Sequence, residues 1–165
     1  DESQYAMVGY RVRNTVTKFG SVARGVCEVQ DGMLVDIVER TKIYQRGEHA
    51  VYTEDNETFI DLPGDTIVSM NIWGFTQPMV TELWQRLGTF FAEDVPQDPL
   101  KREFYLPVAV NAQLQAGTAR VRVLPCEEVW HGVTYREDLA SVKDAIRALK
   151  AAGVYEEHLW PDTKD

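Results

Sequence analysis

The sequence predicts an α/β domain with helices packed on a mixed β-sheet. Three observations carry that prediction. Apolar, β-prone runs crowd the first half of the chain, helical periodicity appears only in the second half, and a further strand lies between two of those helices. A chain of 165 residues is long enough for a single domain with its own core. Its 44% hydrophobic and 26% charged residues are an ordinary globular composition.

The elements follow in order. Tyr5 to Val12 reads as a strand, and Val22 to Val29 and Met33 to Val38 read as a hairpin around the turn Gln30-Asp31-Gly32. Thr41 to Glu57 is polar and predicts a surface excursion, broken by a short strand at Ala50-Val51-Tyr52. Ile67 to Phe75 returns as a buried strand. Thr76 is a fitting N-cap and Pro78 fits a first helical turn. Val80, Leu83, Trp84, Leu87 and Phe91 then recur at helical spacing, which predicts one core-facing stripe. A linker follows at Glu93 to Pro99. Leu106 to Gln115 reads as a helix ended by Gly117, and Arg120 to Leu124 alternates as a strand. Leu139, Val142, Ile146 and Leu149 line one face of a last helix, which Gly153 stops.

Net charge is −9, spread along the chain, so nucleic acid and anionic membrane surfaces are poor partners. No apolar stretch approaches the roughly 20 residues that cross a bilayer, and nothing at the start reads as a signal peptide. Cys27 and Cys126 sit in apolar runs and fit neither a metal spacing nor a disulfide framework, which predicts buried thiols in a reducing, cytoplasmic setting. His49, His131 and His158 are too widely separated for a metal motif. A start at Asp1, close to an apolar run, reads as a fragment with residues 1–165 forming a single piece. An incomplete sheet would leave a bare edge, so a homo-oligomer is expected as well. Exposed tryptophans at Trp84 or Trp160 would fit such an oligomer.

A series of short segments resembles a known family. VGYRV (8–12), KFGSVARGVCEV (18–29), DGMLVDIVERTK (31–42), VSMNIWGF (68–75), KREFYLP (101–107) and VWHGVTYREDLASV (129–142) appear in the order seen in the sugar-1-phosphate nucleotidyltransferases. Each segment alone is a weak signal, whereas the ordered series spans nearly the whole chain. The resemblance implies the C-terminal, acceptor-binding portion of a Rossmann-like, GT-A-like nucleotidyltransferase domain. It also implies the activity, transfer of a nucleoside monophosphate from a nucleoside triphosphate to a sugar phosphate with loss of pyrophosphate. Mg²⁺ is the implied cofactor. The triphosphate would be held mainly by a part not present here, since this chain has no glycine-rich phosphate loop. The alternative is a non-catalytic sugar-phosphate-binding or regulatory module.

Carried over by that resemblance, Glu39 would bind sugar hydroxyls, with Arg40 beside it where the family has Lys. Thr41 stands where the family has Pro. Gly20 would either let a sugar approach the backbone or be a plain turn glycine. Asn71, within an apolar strand, asks for a ligand or a polar network. Trp73 reads as core or cleft wall. Glu103 would contact the sugar or order its own segment. Gly132 falls where the family has its metal-binding Asp, so no metal ligand is assigned, and Glu137 and Asp138 read as the start and cap of the last helix. His131 is a poor match for an oxygen-seeking ion.

Overall fold

A computed structural model describes residues 2–158. Asp1 and Trp160 lie outside the described residues. Seven strands are present there: β1 (Gln4–Arg11), β2 (Val22–Gln30), β3 (Met33–Arg46), β4 (His49–Tyr52), β5 (Ile60–Leu62), β6 (Ile67–Gly74) and β7 (Arg120–Cys126). The α-helices are α1 (Gln77–Thr89), α2 (Leu106–Gln115) and α3 (Asp138–Ala151).

These strands do not make the expected Rossmann-like sheet with helices on its faces. They run in the order β2-β6-β1-β7-β3, and β3 pairs back onto β2, closing a five-stranded barrel. The hairpin explains the closure. β2 and β3 pair from Val22↔Ile43 to Gln30↔Met33, and each has a second neighbour. β2 meets β6 at Gly25↔Ser69 and Val26↔Val68. A Cβ on Gly25 would lie 3.3 Å from Ser69 Cβ and 2.9 Å from Ile37 Cδ1, so the missing side chain makes room for this junction. On the other side, β3 meets β7 at Met33↔Arg122, and the Val123 N–H donates to the Gly32 carbonyl at 2.9 Å. Closure satisfies backbone groups that an open sheet would leave bare. The outer edge passes to the short β5, which continues the second half of β3 through β4. The parallel β1–β7 pair, Gln4↔Arg120 to Tyr10↔Cys126, is the feature most like an α/β fold.

Much of the polar segment expected as an excursion is strand, and the short strand expected at Ala50-Val51-Tyr52 lies within β4. β3 runs through Arg46 and pairs with β4 from Ile43↔Tyr52 to Arg46↔His49. Ile43, Ala50 and Val51 are buried there, whereas Thr41, Gln45, Arg46 and His49 are exposed, so the segment reads as polar although its apolar residues belong to the core. The expected linker at Glu93 to Pro99 holds a wide helical turn at Phe90–Asp94 and a 3₁₀ turn at Val95–Gln97.

Two apolar clusters hold the molecule together. Tyr5, Met7, Leu34, Ile37, Val121 and Val123 of the barrel pack with Met79 of α1 and Ala109 and Val110 of α2. Val12, Val22, Ile43, Ala50, Leu62 and Val68 form the second, under β4 and β5. Gln113 crosses the first cluster with its polar atoms satisfied: it accepts from the Tyr5 hydroxyl at 3.2 Å and donates to Met79 Sδ at 2.9 Å.

Helix α1 departs from expectation in its orientation. Met79 is fully buried and Leu83 packs beside it, whereas Val80, Trp84 and Phe91 of the expected core stripe are exposed. The helix has two apolar stripes set one residue apart, and the barrel covers the one that begins at Met79. Both cysteines are free and half-buried, so the expectation of buried thiols holds only in part.

Candidate functional site

Strand β3 and the segment before α2 bring two of the expected residues together. Glu39 projects from β3 and is half-buried, while Glu103 stands exposed at the rim. Tyr105 lies between them. Burial first, then Glu103 and Glu39, pushes the ionisation of its phenol upward. Burial raises the Glu39 carboxyl most; Arg24 opposes that rise and Glu103 adds to it.

Tyr105 and Val108 separate two cavities. One, of about 450 Å³, is bounded by Glu39, Thr41 and, across from them, Asn111 and Gln115 of α2. The other, of about 430 Å³, is bounded by Arg86, Arg102, Glu103 and Phe90. One carboxylate, a phenol and two carboxamides therefore ring one side, and the second carboxylate stands with two guanidinium groups on the other. Arg86 is held by Glu82 at 2.6 Å and Arg102 by Gln97 at 2.8 Å. Such a set can accept and donate hydrogen bonds to hydroxyl groups and pair with an anion.

The other expected residues lie elsewhere. Arg40 pairs with Glu54 at 2.6 Å and stacks over Tyr52, 4.5 Å from its ring centre. Asn71 is exposed and adopts φ 58, a left-handed conformation that favours Asn without any ligand. Its N–H donates to Ser69 Oγ at 3.1 Å. Trp73 stacks on Phe75 with ring centres 5.4 Å apart, and its indole N–H is buried with no partner among the described residues.

Gly20 and the Gly132–Asp138 segment do meet, but around an internal joint. Gly20 abuts the Tyr135 ring, and Gly132 lies under Trp130, where a Cβ would fall 1.8 Å from the ring. The Asp138 carboxylate accepts from the Thr17 hydroxyl at 2.7 Å and from the Thr134 and Tyr135 N–H groups at 3.2 and 2.8 Å. Asp138 therefore ties the approach to α3 onto the β1–β2 loop instead of capping the helix. Glu137 is the residue before α3 and makes no side-chain cap bond.

This joint does not fit Mg²⁺. An aspartate has no room at Gly132, and Asp138 already spends its oxygens on three donors. Among the described residues no three acidic, His or Cys side chains gather as a metal site.

Sequence reasoning passed over Tyr105, Asn111, Arg24 and the two arginines, Arg86 and Arg102. Tyr105 and Asn111 were hidden among plain helix-start and helix residues. Arg24 carried a readable signal, a charge inside an apolar strand. It is 9% exposed, donates to the Thr15 and Ala23 carbonyls, and lies 5.1 Å from the Trp130 ring centre. Burial brings its guanidinium down to about 10, with Glu39 opposing.

Compared with known protein families and with characterised proteins, the chain shows no match.

Proposed function

We propose that this chain binds a phosphorylated sugar or similar polyol phosphate, and that it serves as the acceptor-holding part of a nucleotidyl transfer. The observation that carries the reading is the approach of Glu39 and Glu103 around Tyr105. The two acids come from distant segments and were singled out separately; Glu39 lines one cavity with Thr41, Asn111 and Gln115, Glu103 lines the next, and Tyr105 forms the wall between them. Arg86 and Arg102 across Tyr105 supply the charge for a phosphate. Because the barrel differs from the fold that the resemblance implied, the reading stands on this site alone.

The chemistry this chain can contribute is positional. Glu39 and Glu103 hold hydroxyls, the arginines hold the phosphate, and the bound acceptor is fixed for attack on a nucleotide supplied by another part. One observation favours the second reading, a non-catalytic binding module: the ring of Trp130 occupies the space an aspartate would need at Gly132.

Calorimetric titration with a hexose 1-phosphate, the free hexose and inorganic phosphate tests the binding. The hexose phosphate should bind best, and Glu39→Gln should weaken it about 10- to 100-fold. Equal, negligible heats for all three ligands sink the reading. A pyrophosphate-release assay separates the two versions: the binding module stays silent even when a nucleotide-binding part is supplied.

A further inference from the structure

Helix α1 has two apolar stripes and the barrel uses one. Met79 and Leu83 join the core, and Phe90 packs edge-on against Phe104 at 5.5 Å. Val80, Trp84 and Phe91 each follow one residue later, about 100° around the helix. They are 57%, 78% and 62% exposed. The two aromatic side chains alone leave on the order of 300 Å² of apolar surface in water, at the lower end of the largest apolar patch that a single chain carries, which is often functional.

The surroundings of this stripe indicate what covers it. The exposed residues of α1 are uncharged, Gln77, Thr81, Gln85, Gly88 and Thr89 among them. The helix's charged residues, Glu82 and Arg86, are half-buried and paired at 2.6 Å. In a chain of net charge −9, this is a face that can meet its own copy without like-charge repulsion. An acidic or basic partner would find no complementary charge on it.

The order of residues is also self-complementary. In two antiparallel copies of α1 and the turn that continues it, a register that sets Trp84 opposite Gly88 sets Val80 opposite Ala92, next to Phe91. A Cβ on Gly88 would meet nothing within 4 Å, so its missing side chain serves no packing inside the chain and leaves a notch on the surface. We propose that α1 is a homodimer interface, in which two copies pack antiparallel about a two-fold axis with Trp84 of each seated over Gly88 of the other. The interface is small, so the dimer is a reversible one with a Kd of about 1–100 µM.

Sedimentation equilibrium of the whole chain from about 1 µM to about 500 µM tests this. A monomer–dimer equilibrium is expected, weakened at least about 30-fold by Trp84→Glu, a centre-of-interface change. Gly88→Leu should abolish the dimer while leaving the monomer at least as heat-stable, because it fills the notch and improves helix propensity. A parent chain that stays monomeric overturns the proposal, as does a dimer that survives both substitutions. Flotation of a monomeric chain with phosphatidylcholine vesicles would assign the stripe to a lipid surface and overturn it too.

Discussion

Gly20 is pressed against the ring of Tyr135: a Cβ added at Gly20 would fall 2.3 Å from Tyr135 Cζ. The Tyr135 hydroxyl donates to the Ser21 carbonyl at 2.7 Å, which pins the ring over this turn. Between the two readings of Gly20, close packing accounts for the glycine without a sugar. Gly20→Ala should therefore destabilise the fold by about 1–3 kcal/mol, the usual cost of overpacking. Tyr135→Phe should cost less, since the ring remains. Chemical denaturation of both variants measures this, and an unchanged midpoint for Gly20→Ala would show that the ring yields easily.

Asp138 is 6% exposed and fastens the same joint. Backbone bonds from Tyr135 hold its carboxyl below the ordinary range, helped by Thr17 and Thr134 and opposed by desolvation. A carboxyl lowered on folding contributes stability that is complete above its unfolded value and is lost as pH falls through its folded value. Asp138→Asn should lower the melting temperature at pH 7 and flatten this acid limb. If the variant melts with the parent's pH profile, the joint does not depend on the charge.

The sequence showed the elements better than their assembly. Apolar alternation placed β1, β2, β6 and β7 within a residue or two, because a half-buried strand carries the same signal in any sheet. It could not show that β3 turns back onto β2, since closure depends on long-range pairs such as Gly25↔Ser69 and Met33↔Arg122. Glu39 and Glu103 were readable as candidates, but their meeting at Tyr105 was not, because it depends on how the segment before α2 settles against β3. Asn71 misled for a local reason. Its type suits φ 58 as well as it suits a ligand.

α1 shows the same limit at single-residue scale. Two apolar stripes one residue apart leave the buried side undecided until the barrel is placed. Met79→Ala should cost about 2–5 kcal/mol through the cavity it leaves, while Val80→Ala should shift stability by less than about 0.5 kcal/mol. Urea denaturation of the two neighbours at a dilution favouring the monomer decides it, and comparable losses would mean that the helix is rotated from the orientation described.

Cys27 gives a chemical check on the barrel wall. Burial pushes its thiol up to about 12, with a bond from the Ser69 backbone opposing and Asp36 and Glu39 adding. Thiolate is the reactive form, so alkylation of Cys27 at pH 8 should run about 100- to 1000-fold slower in the folded chain than in urea. Mass spectrometry of the Cys27 peptide reads the rate, and rapid native labelling would show that the β2–β6 junction opens.

Glu39 separates a binding residue from a strand end by pulling stability and affinity in opposite directions. Its carboxyl is raised by burial, then partly lowered by Arg24 and raised again by Glu103. The sign for an acid raised on folding is the reverse of that for Asp138. Stability is fullest below the ordinary carboxylate range and declines as pH rises through the folded value, where the buried charge must form. Glu39→Gln removes that charge and keeps the shape, so it should melt higher than the parent at pH 7. The gain should vanish in acid, where the parent's carboxyl is protonated. The same substitution should weaken hexose 1-phosphate binding about 10- to 100-fold, because charge-assisted hydrogen bonds to the sugar are lost. Thermal melts across pH beside calorimetric titration give both quantities from one variant. A Glu39→Gln chain that is more stable yet binds the sugar phosphate normally would leave Glu39 without a ligand and move the acceptor to Glu103 and the two arginines.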